Sequence, residues 1–179
     1  MQVLKPGQHY LPSGRESGNL SIFQKHDKNN NFEWYTPERY VRKMIPHLDK
    51  NQKYVACFDG DESQIYKVLK SEGFDIINNV IDGVYVPYED LPDSHFEGRH
   101  IITNPPFIGP KRYVMKMASR VDVAYIIVPS ISYYNMVKYK TIKWVKDFNI
   151  SMLVDIQRFV MPDGTEKSTH CNWLKFERK

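Results

Sequence analysis

The residues best suited to chemistry lie together in Arg99-His-Ile-Ile-Thr-Asn-Pro-Pro-Phe107. The apolar run Ile101 to Thr103 stops at Asn104, and two prolines and an aromatic follow. Neither proline can donate to a sheet ladder, and each biases the residue before it away from helix. The spacing therefore predicts a stiff turn at the carboxyl end of a strand. The turn carries one side-chain amide, carbonyls without competing N–H groups, and an aromatic ring. Such a set can accept the hydrogens of a planar amino group and offer it a face to stack on.

A second candidate is the acidic turn Asp59-Gly-Asp-Glu-Ser63, which follows the short apolar run Tyr54-Val-Ala-Cys-Phe58. Phosphate sites want exposed N–H groups and positive potential, so this turn argues against a dinucleotide. A cationic ligand tolerates it. Cys57, beside the turn, reads as a small hydrophobe, and His170 as an ordinary core or surface histidine rather than a base. The two cysteines are far apart, and no His/Cys cluster has metal-ligand spacing, so no metal is expected. Free thiols in a reducing cytoplasm are the expectation.

The elements that must position these residues follow in chain order. Residues 1–31 are polar, lack periodicity and read as a flexible arm. In Phe32-Glu-Trp-Tyr-Thr-Pro-Glu38, Thr36 suits a helix cap and Pro37 a first helical position; Val41, Met44, Ile45 and Leu48 then share one face. Next come a strand at Tyr54–Phe58, a helix at Gln64–Glu72 with Ile65, Val68 and Leu69 inward and Gly73 as its stop, and a strand at Phe74–Ile77. A short apolar run at Val84–Val86 and the segment Tyr88-Glu-Asp-Leu91 precede the Asn104 strand. Beyond Phe107 we expect a helix over Lys111–Ser119, a buried strand over Val123–Val128 and an aromatic-basic helix over about Ser132–Lys146. A strand over Ile150–Asp155, a polar loop and a last strand over His170–Phe176 complete the chain. Strands alternating with helices predict an α/β sheet, whose ligands lie beyond the carboxyl ends of the strands.

With 179 residues and 41% hydrophobic residues, the chain is long enough for one core of its own. No apolar run approaches membrane-spanning length. The formal charge of +4 permits a polyanionic partner without requiring one. The lysines and aromatics interleaved between Tyr133 and Lys146 fit either a solvated helix face or a polyanion-facing one.

Asn104-Pro105-Pro106-Phe107 resembles the Asn-Pro-Pro-Tyr/Phe motif of S-adenosylmethionine-dependent amino-methyltransferases, especially the adenine-N6 DNA enzymes. Tyr35-Thr36-Pro37 is similar to the segment that in those enzymes covers the methionine end of the cofactor. The turn after Cys57 resembles the acidic, glycine-poor cofactor loop of the EcoRI type, and Glu89-Asp90 the segment bordering the cofactor adenine. The resemblance implies a Rossmann-like seven-strand methyltransferase sheet, mostly parallel with an antiparallel final strand and helices on both faces. It makes residues 32–179 one catalytic domain. It assigns catalysis to Asn104, Pro105, Pro106 and Phe107, and S-adenosylmethionine binding to Tyr35, Thr36, Pro37, Cys57, Asp59, Gly60, Asp61 and Asp90. The activity it implies is cytoplasmic, site-specific methylation of adenine in DNA, with a partner subunit able to supply target recognition. The motif reads an amino or amide group rather than a polymer, so ribosomal RNA or a protein glutamine is an alternative target. The other alternative is a nucleic-acid-binding relative that has lost catalysis, since the loop has a single glycine, with Glu62 where another would stand.

Overall fold

The computed structural model describes residues 35–105, 114, 116–117, 119–137, 147–160 and 164–179. The expected polar arm, and with it most of the helix over Lys111–Ser119 and the basic half of the helix to Lys146, lie outside them. Pro106 and Phe107 do as well.

Eleven elements organise the described residues: α1 (Glu38–Met44), β1 (Lys53–Ala56), α2 (Gln64–Ser71), β2 (Asp75–Asn78), β3 (Val80–Ile81), β4 (Val84–Tyr85), β5 (Arg99–Thr103), β6 (Val123–Pro129), α3 (Ser130–Val137), β7 (Phe148–Val160) and β8 (Glu166–Arg178). Val114, Lys116, Met117, Ser119 and Arg120 are also helical. The main sheet has the order β2-β1-β5-β6-β8-β7. β2, β1, β5 and β6 run parallel, while β8 is antiparallel to both β6 and β7. The last strand thus enters the sheet reversed, as expected. The sheet has six strands, not seven.

The reason lies at Asp82-Gly83. Both residues have positive φ, 51° and 78°, the conformation of a tight hairpin turn. The turn folds β3 onto β4 as a separate two-stranded ribbon, with Val80 opposite Tyr85. Asn79 pins that ribbon, its side-chain amide donating to the carbonyl of Val86 at 3.0 Å and its carbonyl accepting from the amide of Val86 at 2.7 Å. The chain that could have extended the sheet beyond β2 is used up there, and β2 remains an edge.

Alternation along the strands splits the core in two. On one face Tyr54, Ala56, Ile102, Tyr125 and Trp173 pack against Val41 and Met44 of α1 and Ile65, Val68 and Leu69 of α2. On the other, Val55, Cys57, Ile101, Ile126 and Leu174 meet Tyr88, Phe96, Val114 and Met117. β6 is buried at all seven positions, because it is covered on both sides, and this explains its unbroken apolar run. Helices therefore lie on both faces.

The helix starts carry one correction. The oxygen of Ser63 caps α2 by accepting from the amide of Ile65 at 3.2 Å. Thr36 does not cap α1: the helix begins at Glu38, the capping position falls to Pro37, and no side chain caps it. Pro37 has ψ 142°, outside helix, so the turn at Thr36 is one residue too early to reach the helix amides. Among the described residues no helix is long and apolar enough to cross a membrane.

Candidate active site

The parallel strands bring the carboxyl ends of β1, β2, β5, β6 and β7 to one edge of the sheet. Asn104 and Pro105 stand directly after β5 on that edge, Asn104 half-buried and Pro105 buried. The acidic turn stands after β1, and Asn78-Asn79 close β2. Tyr35 reaches the same edge through β7. It forms an antiparallel bridge with Val160, the two exchanging backbone hydrogen bonds of 2.8 and 3.0 Å. The sequence segments at Tyr35–Pro37, Asp59–Asp61 and Asn104–Pro105 thus share one edge of the molecule.

A buried polar network ties the first loop to the second. The Thr103 hydroxyl donates to Oδ2 of Asp59 at 2.7 Å and accepts from the backbone amide of Phe58 at 3.2 Å. The Ser63 hydroxyl donates to Oδ1 of Asp59 at 2.5 Å. The carbonyl of Asp59 accepts from the amide of Asn79 at 3.0 Å. Asp59 is 8% exposed, so a carboxylate there needs such donors to offset lost hydration. Both of its side-chain oxygens are engaged by the protein, which makes it a brace of the loop. Asp61 is exposed at the loop tip, where its Oδ1 accepts from the side-chain amide of Asn78 at 2.8 Å.

Other expected site residues are placed differently. Cys57 is fully buried in the second core, its sulfur 3.8 Å from that of Met117. Burial pushes its thiol well above the ordinary range, away from the thiolate that a nucleophile needs. Asp90 is exposed on a short turn, Tyr88–Asp90. Its neighbour Tyr88 is the residue that reaches the loop, stacked on Phe58 with centroids 4.8 Å apart and planes at 18°. His170 is exposed on β8. Gly60 has ordinary φ, and a side chain there would meet only an edge atom of Tyr85, at 3.8 Å. No packing within the protein demands a glycine, and close approach of a ligand is an independent reason for one.

Thr103, Ser63 and Tyr88 were not singled out by sequence reasoning. Thr103 had a signal, a hydroxyl ending an apolar buried strand. Such a group needs a partner.

Buried oxygens at this edge without a hydrogen-bond partner among the described residues include Oγ1 of Thr36 and Oδ1 of Asn79. Orphaned polar atoms at the carboxyl edge of an α/β sheet fit a bound polar ligand. Among the described residues no group of His, Cys, Asp and Glu could hold a metal ion.

No protein-family model and no curated protein sequence matches the chain. Its fold is shared with solved methyltransferases. One is a protein assigned as an RNA methyltransferase from Pyrococcus horikoshii, with a TM-score of 0.54 and 16% identity over 89% of this chain and 91% of that one. Another is a dimethyladenosine transferase from Plasmodium falciparum, with a TM-score of 0.51 and 11% identity over 82% of this chain and 63% of that one. The chain has an α/β methyltransferase-like fold with a mixed, mostly parallel sheet.

Proposed function

We propose that the chain transfers a methyl group from S-adenosylmethionine to the exocyclic amino group of adenine in DNA. The observation that carries this reading is the junction at Thr103-Asn104-Pro105. It presents the amino-binding turn at the carboxyl edge and bonds it to the loop where a cofactor lies in this fold.

S-adenosylmethionine supplies, when bound, a methyl group on a sulfonium centre. Thr36, Asn79 and the backbone of Asp59-Gly60-Asp61 are the groups that fit it, the first two through their orphaned oxygens. The exposed carboxylate of Asp61 suits its positive charge. The side-chain oxygen of Asn104 and the carbonyl of Pro105 each accept one hydrogen of the adenine amine. That arrangement favours a pyramidal nitrogen whose lone pair is free to attack, whereas in free adenine the lone pair is delocalised into the ring. Phe107 stacks on the base, which has to leave a duplex to reach such a turn. Orientation and fixed dipoles do the work, and no covalent intermediate on the protein is needed.

Calorimetry with S-adenosylmethionine and its demethylated product, followed by transfer of labelled methyl to DNA and RNA substrates, tests the reading. Saturable one-site binding with label in adenine of DNA supports it. Absence of binding with either nucleic acid present would leave a relative without catalysis. The name of one structural neighbour points to RNA, and label in RNA alone would replace DNA as the target.

A further inference from the structure

The opposite, amino edge of the sheet holds a cavity of about 490 Å³, bordered by Gln52, Gly98, Arg99, Arg120 and Arg178 among others. The length of β5 separates it from Asn104, about 13 Å at the rise of a strand. It lies apart from the candidate active site and owes nothing to the methyl-transfer reading.

The three arginines have a common arrangement. Each is more buried than the carboxylate it meets. Arg99 is 18% exposed and lies 3.1 Å from Asp75, which is 50% exposed. Arg120 is 28% exposed and lies 4.0 Å from Asp93, which is 92% exposed. Arg178 is 43% exposed and lies 3.4 Å from Asp122, which is 87% exposed. The protein also holds each guanidinium by other means. Arg99 donates to the carbonyl of Tyr54 at 3.4 Å. Arg120 sits over the rings of Phe96 and Tyr88, 4.7 and 5.0 Å from their centroids, and Arg178 sits 5.2 Å from that of Phe148. One donor of Arg120, Nη1, has no hydrogen-bond partner among the described residues. Ring faces rather than acceptors therefore hold that group.

Exposed ion pairs contribute at most about 1 kcal/mol, and their carboxylates move readily into water. The cations are anchored and their counter-ions are displaceable. Glu97 and Asp122 also border the cavity, so a ligand must outcompete a nearby carboxylate. A multiply charged tetrahedral oxyanion does so, because it meets several guanidinium forks at once.

We infer that this amino-edge cavity is a second binding site, which takes a phosphate group. The group belongs either to a free anion or nucleotide or to a nucleic-acid backbone, and the cavity volume suits a ligand of nucleotide size.

The test is calorimetric titration of the full chain, at constant ionic strength, with inorganic pyrophosphate and with a short oligonucleotide lacking terminal phosphates. Saturable one-site binding of at least one probe is expected. It should weaken about tenfold or more in Arg120→Gln and in Arg178→Gln and stay unchanged in Lys43→Gln on α1. Arg178 is the more exposed of the two, so its variant keeps the test valid if Arg120→Gln unfolds. Displacement of pyrophosphate by the oligonucleotide assigns the site to a backbone phosphate; binding of pyrophosphate alone assigns it to a free anion. No saturable binding of either probe, or equal affinities in wild type and both folded variants, would overturn the inference.

Discussion

The hydroxyl of Thr103 donates to the buried carboxylate of Asp59 at 2.7 Å, across 44 residues of chain. The same hydroxyl accepts from the amide of Phe58. One side chain, immediately before Asn104, thus anchors the end of β1 to the end of β5. Replacing it with isosteric valine leaves a buried carboxylate oxygen short of a donor and a buried amide short of an acceptor. We expect Thr103→Val to cost about 2–4 kcal/mol of stability, one to two unsatisfied buried groups. Thr103→Ser keeps both bonds and should recover most of the loss. Denaturant unfolding of the two variants decides it; equal losses would mean that the methyl, not the hydroxyl, matters.

Asn104→Ala should leave the fold intact and lower methyl transfer about a hundredfold or more, as loss of one well-placed polar group does elsewhere. Its affinity for S-adenosylmethionine should be little changed. Phe107→Ala should instead weaken capture of the target base by about 1–3 kcal/mol. Single-turnover rates alongside separate binding curves for cofactor and nucleic acid check both. Equal losses of cofactor and base affinity in the Phe107 variant would count against stacking.

Thr36 presents a hydroxyl that is buried and has no partner among the described residues. Within the folded chain it is a cost. Thr36→Val should therefore raise the stability of the ligand-free protein by about 1 kcal/mol. It should at the same time reduce affinity for S-adenosylmethionine several-fold. Thermal melts with and without cofactor read both effects. A stability gain with unchanged affinity would remove Thr36 from the cofactor site.

His95 and His100 set an acid limit on stability. Burial holds both imidazoles below their ordinary value of 6.5, although His95 Nε2 contacts the carbonyl of Asn78 at 2.8 Å. In the unfolded chain they take up protons as pH falls through about 6.5, whereas the folded protein resists until lower pH. The unfolded state binds more protons in that window, so stability present above pH 6.5 is lost as pH falls toward the folded values. Melting temperatures between about pH 5 and pH 8 should show this slope, and His95→Gln and His100→Gln should each flatten it. An unchanged slope in both variants would assign the acid sensitivity to other groups.

Local features were readable from residues alone where one periodicity or one stiff turn dominates. Ile65, Val68 and Leu69 recur at helical spacing, and all three are buried. Two prolines after Thr103 had to end a strand, and β5 ends there. Asp82-Gly83 is a hairpin dipeptide, but the reading of Val84–Val86 as a short apolar run did not use it, and the β3–β4 ribbon was missed. Thr36 was read as a cap because capping rules see only neighbours, and they do not see that Pro37 remains extended.

By itself, then, the sequence determined the succession of strands and helices and the position of Asn104 at a strand end, whereas the reversal of the last strand was implied only by the family resemblance. The first two follow from short-range sterics and from apolar periodicity. Only the tertiary structure decided that Asp59 braces the loop and that Cys57 belongs to the core. It alone brought Tyr35 to the carboxyl edge of the sheet through Val160 and set three arginines around one cavity at the other edge. Each of those relationships joins residues far apart in the chain, and burial and hydrogen-bond satisfaction choose such partners only once the sheet has formed.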